Sequence, residues 1–246
     1  MKGYIIAFIV SLVAAFTLTP LTIHTVQKLH YGQYIRQDGP QTHLMKRGTP
    51  TLGGVAIVFS IILGWGIAAL YRYYSRHIIP SWAAILTLFC MTGFGLIGFI
   101  DDFLKVKKKN NLGLTIHAKL IGQFVIATVY AVASLVLPLH SSFHVARFGI
   151  SWVETPIINL AFAGKTLGLI LFIIWVNFLM TAWTNAINLT DGLDGLAAGS
   201  SMIAFSGFAV IAFWESYHII GSHNSGFEYT SSDPQDLALI ALAAVA

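Results

Sequence analysis

Charge is scarce in this chain. Only 10% of its 246 residues are Asp, Glu, Lys or Arg, where a soluble domain carries roughly 25%. That shortage excludes an ordinary water-soluble domain. Cysteine is scarcer still: Cys90 stands alone, which excludes an intrachain disulfide and leaves a small hydrophobe inside an apolar run. Internal repeats and low-complexity tracts are absent. So is period-two alternation within the apolar runs, which argues against membrane-barrel strands. Most histidines (His24, His30, His77, His140, His144, His218 and His223) lack ligand spacing with a Cys, Asp or Glu. His43 and His117 matter only because they sit in polar segments. No nucleic-acid partner is expected.

What is present is apolar. Hydrophobic residues make up 56% of the chain, and mean hydropathy is +0.74. Roughly 20 helical residues cross a hydrocarbon core of about 30 Å. Six runs qualify: Tyr4–Val26, Leu52–Tyr71, Trp82–Ile100, Leu120–Leu137, Leu167–Trp183 and Leu196–Trp214. The fold class expected is all-α: a polytopic integral membrane protein, with 1–246 as one transmembrane domain. A seventh run, Leu237–Ala246, reaches only about 15 Å as a helix. The expectation is therefore of a chain that lacks its C-terminal helices. The first run is too long for the 7–15-residue apolar region of a signal peptide.

Basic residues set an expected orientation. Lys28, Arg36, Lys46, Arg47, Lys105, Lys107, Lys108, Lys109 and Lys119 fall on one side of the alternating spans. Lys2, Arg72, Arg76, Arg147 and Lys165 fall on the other. The richer side is expected to be cytoplasmic and the N-terminus outside. Alternation in Phe143-His-Val-Ala-Arg-Phe is compatible with a short hairpin. The segment Glu215–Asp236 reads as a polar outer loop without assignable chemistry.

Three polar constellations interrupt the apolar pattern, all on the expected cytoplasmic side. The first runs from Tyr34 to Gly54. Pro40, Pro50, Gly39 and Gly48 enforce a loop there, and Gly53 and Gly54 open the second span with room for close approach. Lys46 and Arg47 suit a phosphate, but on the residues alone a plain positive flank with turn residues explains them better. The second is Gly98-Phe-Ile-Asp101-Asp102-Phe-Leu-Lys105. Asp101 and Lys105 are i,i+4 neighbours and suit a simple pair. Carboxylates beside lipid are costly, however, and hard oxygen ligands suit magnesium. Consecutive helical residues diverge by about 100°, so both acids serve one ion only if the helix ends there. The third is Asn185-Ala-Ile-Asn188-Leu-Thr-Asp191-Gly192-Leu193-Asp194-Gly195. A helix cap needs one or two such residues; four amides and acids at steps of three suggest a site for something polar or cationic.

Taken in order, these motifs resemble the phospho-N-acetylmuramoyl-pentapeptide transferases, from about Gln33 to Ala198. The Gly-Thr-Pro-Thr-Leu-Gly-Gly form favours them over the sibling UDP-N-acetylglucosamine polyprenyl-phosphate transferases. The resemblance implies transfer of phospho-N-acetylmuramoyl-pentapeptide from UDP to undecaprenyl phosphate, with Mg2+ and release of UMP, at the cytoplasmic face of a bacterial inner membrane. It implies Asp101 and Asp102 as the catalytic pair and Asn188 as a metal-side residue. Lys46, Thr51, Asn185, Asp191, Gly192, Leu193 and Asp194 fall on the nucleotide side, with Lys105 and Lys119 as candidates for the lipid phosphate. A second copy of the chain is a further candidate partner. The family carries ten spans, and a later metal-binding aspartate and a His-rich loop have no counterpart before Ala246. A protein ending there is expected to be inactive. From a different class, a transporter with a polar site on broken helices stays open, although no inverted repeat supports it.

Overall fold

In a computed structural model, residues 1–28, 52–108, 113–137, 147–148, 158–159, 164–191, 195–218 and 233–246 are described. Seven helices are found among them: α1 (Lys2–Lys28), α2 (Gly53–Arg76), α3 (Trp82–Lys107), α4 (Ile116–Val136), α5 (Lys165–Thr190), α6 (Leu196–His218) and α7 (Asp233–Val245). The first six are long and apolar enough to cross a membrane, and α7 is shorter. Large side chains such as Phe16, Phe59, Phe124, Ile174 and Phe208 stay exposed along their flanks. Lipid, as apolar as these side chains, is the solvent that tolerates them. A two-residue pair, β1 (Arg147–Phe148) with β2 (Ile158–Asn159), is antiparallel. It lies at the end of the segment whose alternation predicted a hairpin.

Helices meet where side chains are small. Gly64 of α2 lies so close to α1 that a Cβ there would fall 2.7 Å from the Ala7 carbonyl and 2.8 Å from Ser11 Cβ. Small residues let backbones approach, which is how helices associate without a hydrophobic driving force in lipid. Ser11 Oγ then donates to the Ala243 carbonyl at 2.6 Å, tying α1 to α7. Ala7, Ala68 and Leu239 bury together, as do Ile61, Ala84, Ile240 and Ala243. A separate cluster of Ala131, Phe172 and Val176 joins α4 to α5.

The polar reading of Glu215–Asp236 is corrected at its far end. Asp233 already begins α7, and Asp236 is 1% exposed. One Asp236 oxygen pairs with the Arg72 guanidinium, and the other accepts the Ser81 N–H at 2.6 Å. Arg72 also donates to Gln235 Oε1 at 3.0 Å. Burial without a partner would be costly for either ion, so the pair explains both placements. Nearby, Gly3 packs against Arg72, and Tyr4 donates to Ser216 Oγ at 3.4 Å. The starts of α1, α3 and α7 and the ends of α2 and α6 therefore share one side of the bundle.

Candidate functional site at the opposite end of the bundle

From Ser81 to Asp101 the chain climbs twenty helical residues, about 30 Å. The aspartate pair thus lies across the bundle from Arg72 and Asp236. The sequence suggested that the third span stops at Ile100, but α3 continues through the acids to Lys107. Two effects sustain those last turns. Lys105 lies one turn after the acids, and lysines at a helix C-terminus suit its partial negative charge. Lys105 Nζ sits 2.7 Å from Asp101 Oδ2 and 3.0 Å from Asp102 Oδ1. The helix does not end at the pair, yet one oxygen of each carboxylate reaches the same ammonium. The expectation that both acids serve one cation only at a helix end is thereby corrected: the long Lys105 side chain spans the angle between them. The remaining oxygens have different surroundings.

Asp101 is the enclosed one, with a side chain 14% exposed against 41% for Asp102. Its Oδ1 accepts the Leu114 N–H at 2.8 Å. The neighbouring Gly113 makes this possible: a Cβ there would lie 2.3 Å from Asp101 Oδ1. Both Asp101 oxygens are thereby committed, one to Lys105 and one to the chain entering α4. Asp102 keeps one oxygen that bonds to nothing among the described residues. Thr115 caps α4 by accepting the Ala118 N–H at 3.2 Å. One turn later Lys119 acts electrostatically on Asp101.

The third motif arrives on α5, which runs past the expected Trp183 to Thr190. Asn185 Nδ2 donates to Gln123 Oε1 of α4 at 3.1 Å and to the Thr181 carbonyl at 2.8 Å. Asn188 is exposed. Asp191, also exposed, closes the helix through its N–H to the Ile187 carbonyl at 3.1 Å. Among the described residues, no hydrogen bond or ion pair joins Asn188 or Asp191 to the aspartate pair. The link runs instead through α4: Asp101 to Leu114, and Gln123 to Asn185. Lys46, Thr51, Gly192, Leu193 and Asp194 lie outside the described residues. At the edge of the first motif, Leu52 adopts φ 71° before α2 begins, and Cβ atoms at Gly53 or Gly54 would meet nothing within 4 Å among the described residues.

Sequence reasoning missed Gln123, Gly113 and Leu114. Gln123 had a signal: it is a carboxamide in an otherwise apolar run, and polar side chains within a membrane are functional candidates. Gly113 had none, because its role depends on a fold-level approach.

For a divalent cation, the donor chemistry fits. Asp102, Asn188 and Asp191 offer outward-facing hard oxygens, the class magnesium takes. No three of His, Cys, Asp and Glu converge among the described residues, so carboxamide and substrate oxygens would complete such a set.

Comparison with known proteins bears on this arrangement. Residues 84–246, which include the aspartate pair, α4 and the Asn185 motif, match Glycosyl transferase family 4. The chain is 62% identical to the phospho-N-acetylmuramoyl-pentapeptide-transferase of Bifidobacterium longum (strain NCC 2705), over 99% of this chain and 66% of that protein. It is 60% identical to the protein of that name from Bifidobacterium adolescentis, over 99% of this chain and 67% of that one. Against its namesake from Beutenbergia cavernae, identity is 43% over 100% of this chain and 68% of the relative. The chain thus spans about two thirds of the length of these relatives. It belongs to glycosyl transferase family 4, among the phospho-N-acetylmuramoyl-pentapeptide transferases.

Proposed function

We propose that the protein to which these 246 residues belong transfers phospho-N-acetylmuramoyl-pentapeptide from UDP to undecaprenyl phosphate, releasing UMP. The observation that carries this reading is the Asp101–Asp102–Lys105 cluster at a membrane-helix end, in a chain 62% identical to proteins named for that reaction. The proposal places that end in the cytoplasm and the N-terminus outside, in a bacterial inner membrane, with 1–246 as one membrane domain. Lys28, Lys105, Lys107, Lys108 and Lys119 support it, since they gather at the aspartate end.

The reaction brings two anions together. A phosphate monoester has a second pKa near about 6, so the attacking lipid phosphate is mostly dianionic at neutral pH and needs no strong base. The chain's task is to hold both phosphates in line and offset their repulsion. Asp101, with both oxygens committed, favours a holding role: it fixes Lys105 and the entry to α4. Lys119 presents a cation where a membrane-anchored phosphate surfaces. Asp102 and Asn188 would hold magnesium, which when bound supplies charge neutralisation and in-line orientation. Asp191, at the exposed end of α5, is suited to the uridine side, along with Asn185.

The test is release of UMP by the whole protein in detergent, with the UDP-linked muramoyl-pentapeptide and undecaprenyl phosphate supplied together or singly. UMP is expected only when both are present. A folded protein that releases none, or that prefers UDP-N-acetylglucosamine, refutes the proposal. Stereochemistry at phosphorus then separates direct attack, which inverts, from an aspartyl-phosphate route, which retains.

A further inference from the structure

Gln123 is wholly buried on α4, one turn after Lys119, and is absent from the three motifs. Its Oε1 accepts from Asn185 Nδ2. That nitrogen carries two protons, and the second goes to the Thr181 carbonyl. Rotating the Asn185 carboxamide by half a turn would set its oxygen against the Thr181 carbonyl, two acceptors face to face. The orientation is therefore fixed, and among the described residues nothing donates to Asn185 Oδ1.

We infer that Gln123 is a positioning residue that turns Asn185 into a pure acceptor at the site. An acceptor-only Asn185 suits a cation or a ligand N–H or O–H, and it repels phosphate oxygens. This inference rests on the transferase reading for what Asn185 meets, although the clasp itself does not.

A control lies two turns earlier on the same helix. Asn177 Nδ2 donates to the Ile173 carbonyl at 2.9 Å and to Thr128 Oγ1 of α4 at 3.1 Å. The Thr128 hydroxyl also lies 3.4 Å from Asn177 Oδ1 and can donate back. That pair is closed on itself and sits in the apolar interior of the bundle. The Gln123–Asn185 pair uses the same i−4 carbonyl and the same neighbouring helix, but it leaves the Asn oxygen without a donor among the described residues. It also leaves Gln123 Nε2 without a partner among the described residues. An interhelical device that only glued α4 to α5 would close, as the Asn177 pair does.

The test is a double-mutant cycle in the whole protein, read by turnover and by thermal unfolding. Gln123→Met keeps the volume and removes the acceptor; it is expected to lower kcat about tenfold, as loss of a side chain that orients a ligand does. In an Asn185→Ala background the same change is expected to cost less than about twofold, because Gln123 acts through Asn185. Gln123→Glu keeps the accepting oxygen and is expected to retain at least half of the turnover. Equal losses for Gln123→Met in both backgrounds overturn the inference. So does a Gln123→Glu variant as poor as Asn185→Ala, because it assigns the role to the unpartnered Nε2. If Gln123→Met fails to fold, the Gln123→Glu result decides alone. A parent protein without turnover sinks the transferase reading, not the clasp. The clasp is then judged by unfolding temperature, where additive shifts of the two single variants overturn it.

Discussion

The two ends of α3 carry the same chemistry put to opposite uses. At its start, Asp236 and Arg72 are 1% and 10% exposed, and every Asp236 oxygen is matched by a protein donor. At its end, Asp102 and Lys105 are 41% and 38% exposed, and one Asp102 oxygen has no protein partner among the described residues. A buried ion pair must satisfy itself, because breaking it strands a charge. A half-exposed one is free to exchange its partners for a ligand. The first cluster ties three helix ends together, and the second presents oxygens and a cation at the bundle's rim. An acid–base cluster in a membrane protein is thus assigned by what it leaves unsatisfied.

The closed end gives the largest expected effect. Asp236→Ala strands Arg72, and unfolding in detergent is expected to weaken by about 3–5 kcal/mol. Replacing both partners, Arg72→Met with Asp236→Leu, is expected to restore most of that loss, because no orphan ion remains. Chemical denaturation of the three variants checks the pattern. A double variant as unstable as Asp236→Ala would mean that the pair does more than satisfy itself.

The open end should respond the other way. Asp102→Asn is expected to leave the unfolding temperature unchanged and to lower turnover roughly a hundred- to thousandfold, the range for losing one source of transition-state charge stabilisation, here the cation that Asp102 would hold. A UMP-release assay beside a melting curve separates the two readouts. Near-normal turnover would move the chemistry away from Asp102.

The contrast between the ends was only half legible in the sequence. Long apolar runs announced six spans and placed the acidic pair at the end of the third. The runs hid the helix ends, because Asp101 to Lys107 and Asn185 to Thr190 are interrupted by polar residues yet still helical once salt-bridged or backed by an i−4 carbonyl. Arg72 and Asp236 are 164 residues apart. Read locally, one looked like a loop cation and the other like the tail of a polar segment, and only the packing of α7 against α2 joins them. Gln123 and Asn185 are 62 apart, and their relation depends equally on the pairing of α4 with α5.

Gly113 offers a finer probe of the open end. Gly113→Val puts a Cβ on top of Asp101 Oδ1, so the Leu114 N–H bond must lengthen or break. The expected result is a turnover loss of about tenfold, or about 1.4 kcal/mol, with the spans still folded. Circular dichroism and UMP release report the two sides. An unaffected enzyme would show that the tether from Asp101 to α4 is dispensable.

The smallest effect belongs to a pair that copies the geometry of Gln123 and Asn185 without facing the site. Asn177→Leu with Thr128→Val removes both partners of a closed hydrogen bond between α4 and α5. Such bonds within membranes average about 0.6 kcal/mol, because the separated helices also find partners for their polar groups. Both partners leave together, so no orphan donor remains, and Leu and Val pack against the Ala131, Phe172 and Val176 cluster nearby. Unfolding is expected to shift by less than about 1 kcal/mol, with turnover intact. A turnover loss as large as that of Gln123→Met would mean that the whole α4–α5 seam transmits to the site. The openness of Asn185 would then not be what distinguishes the two pairs.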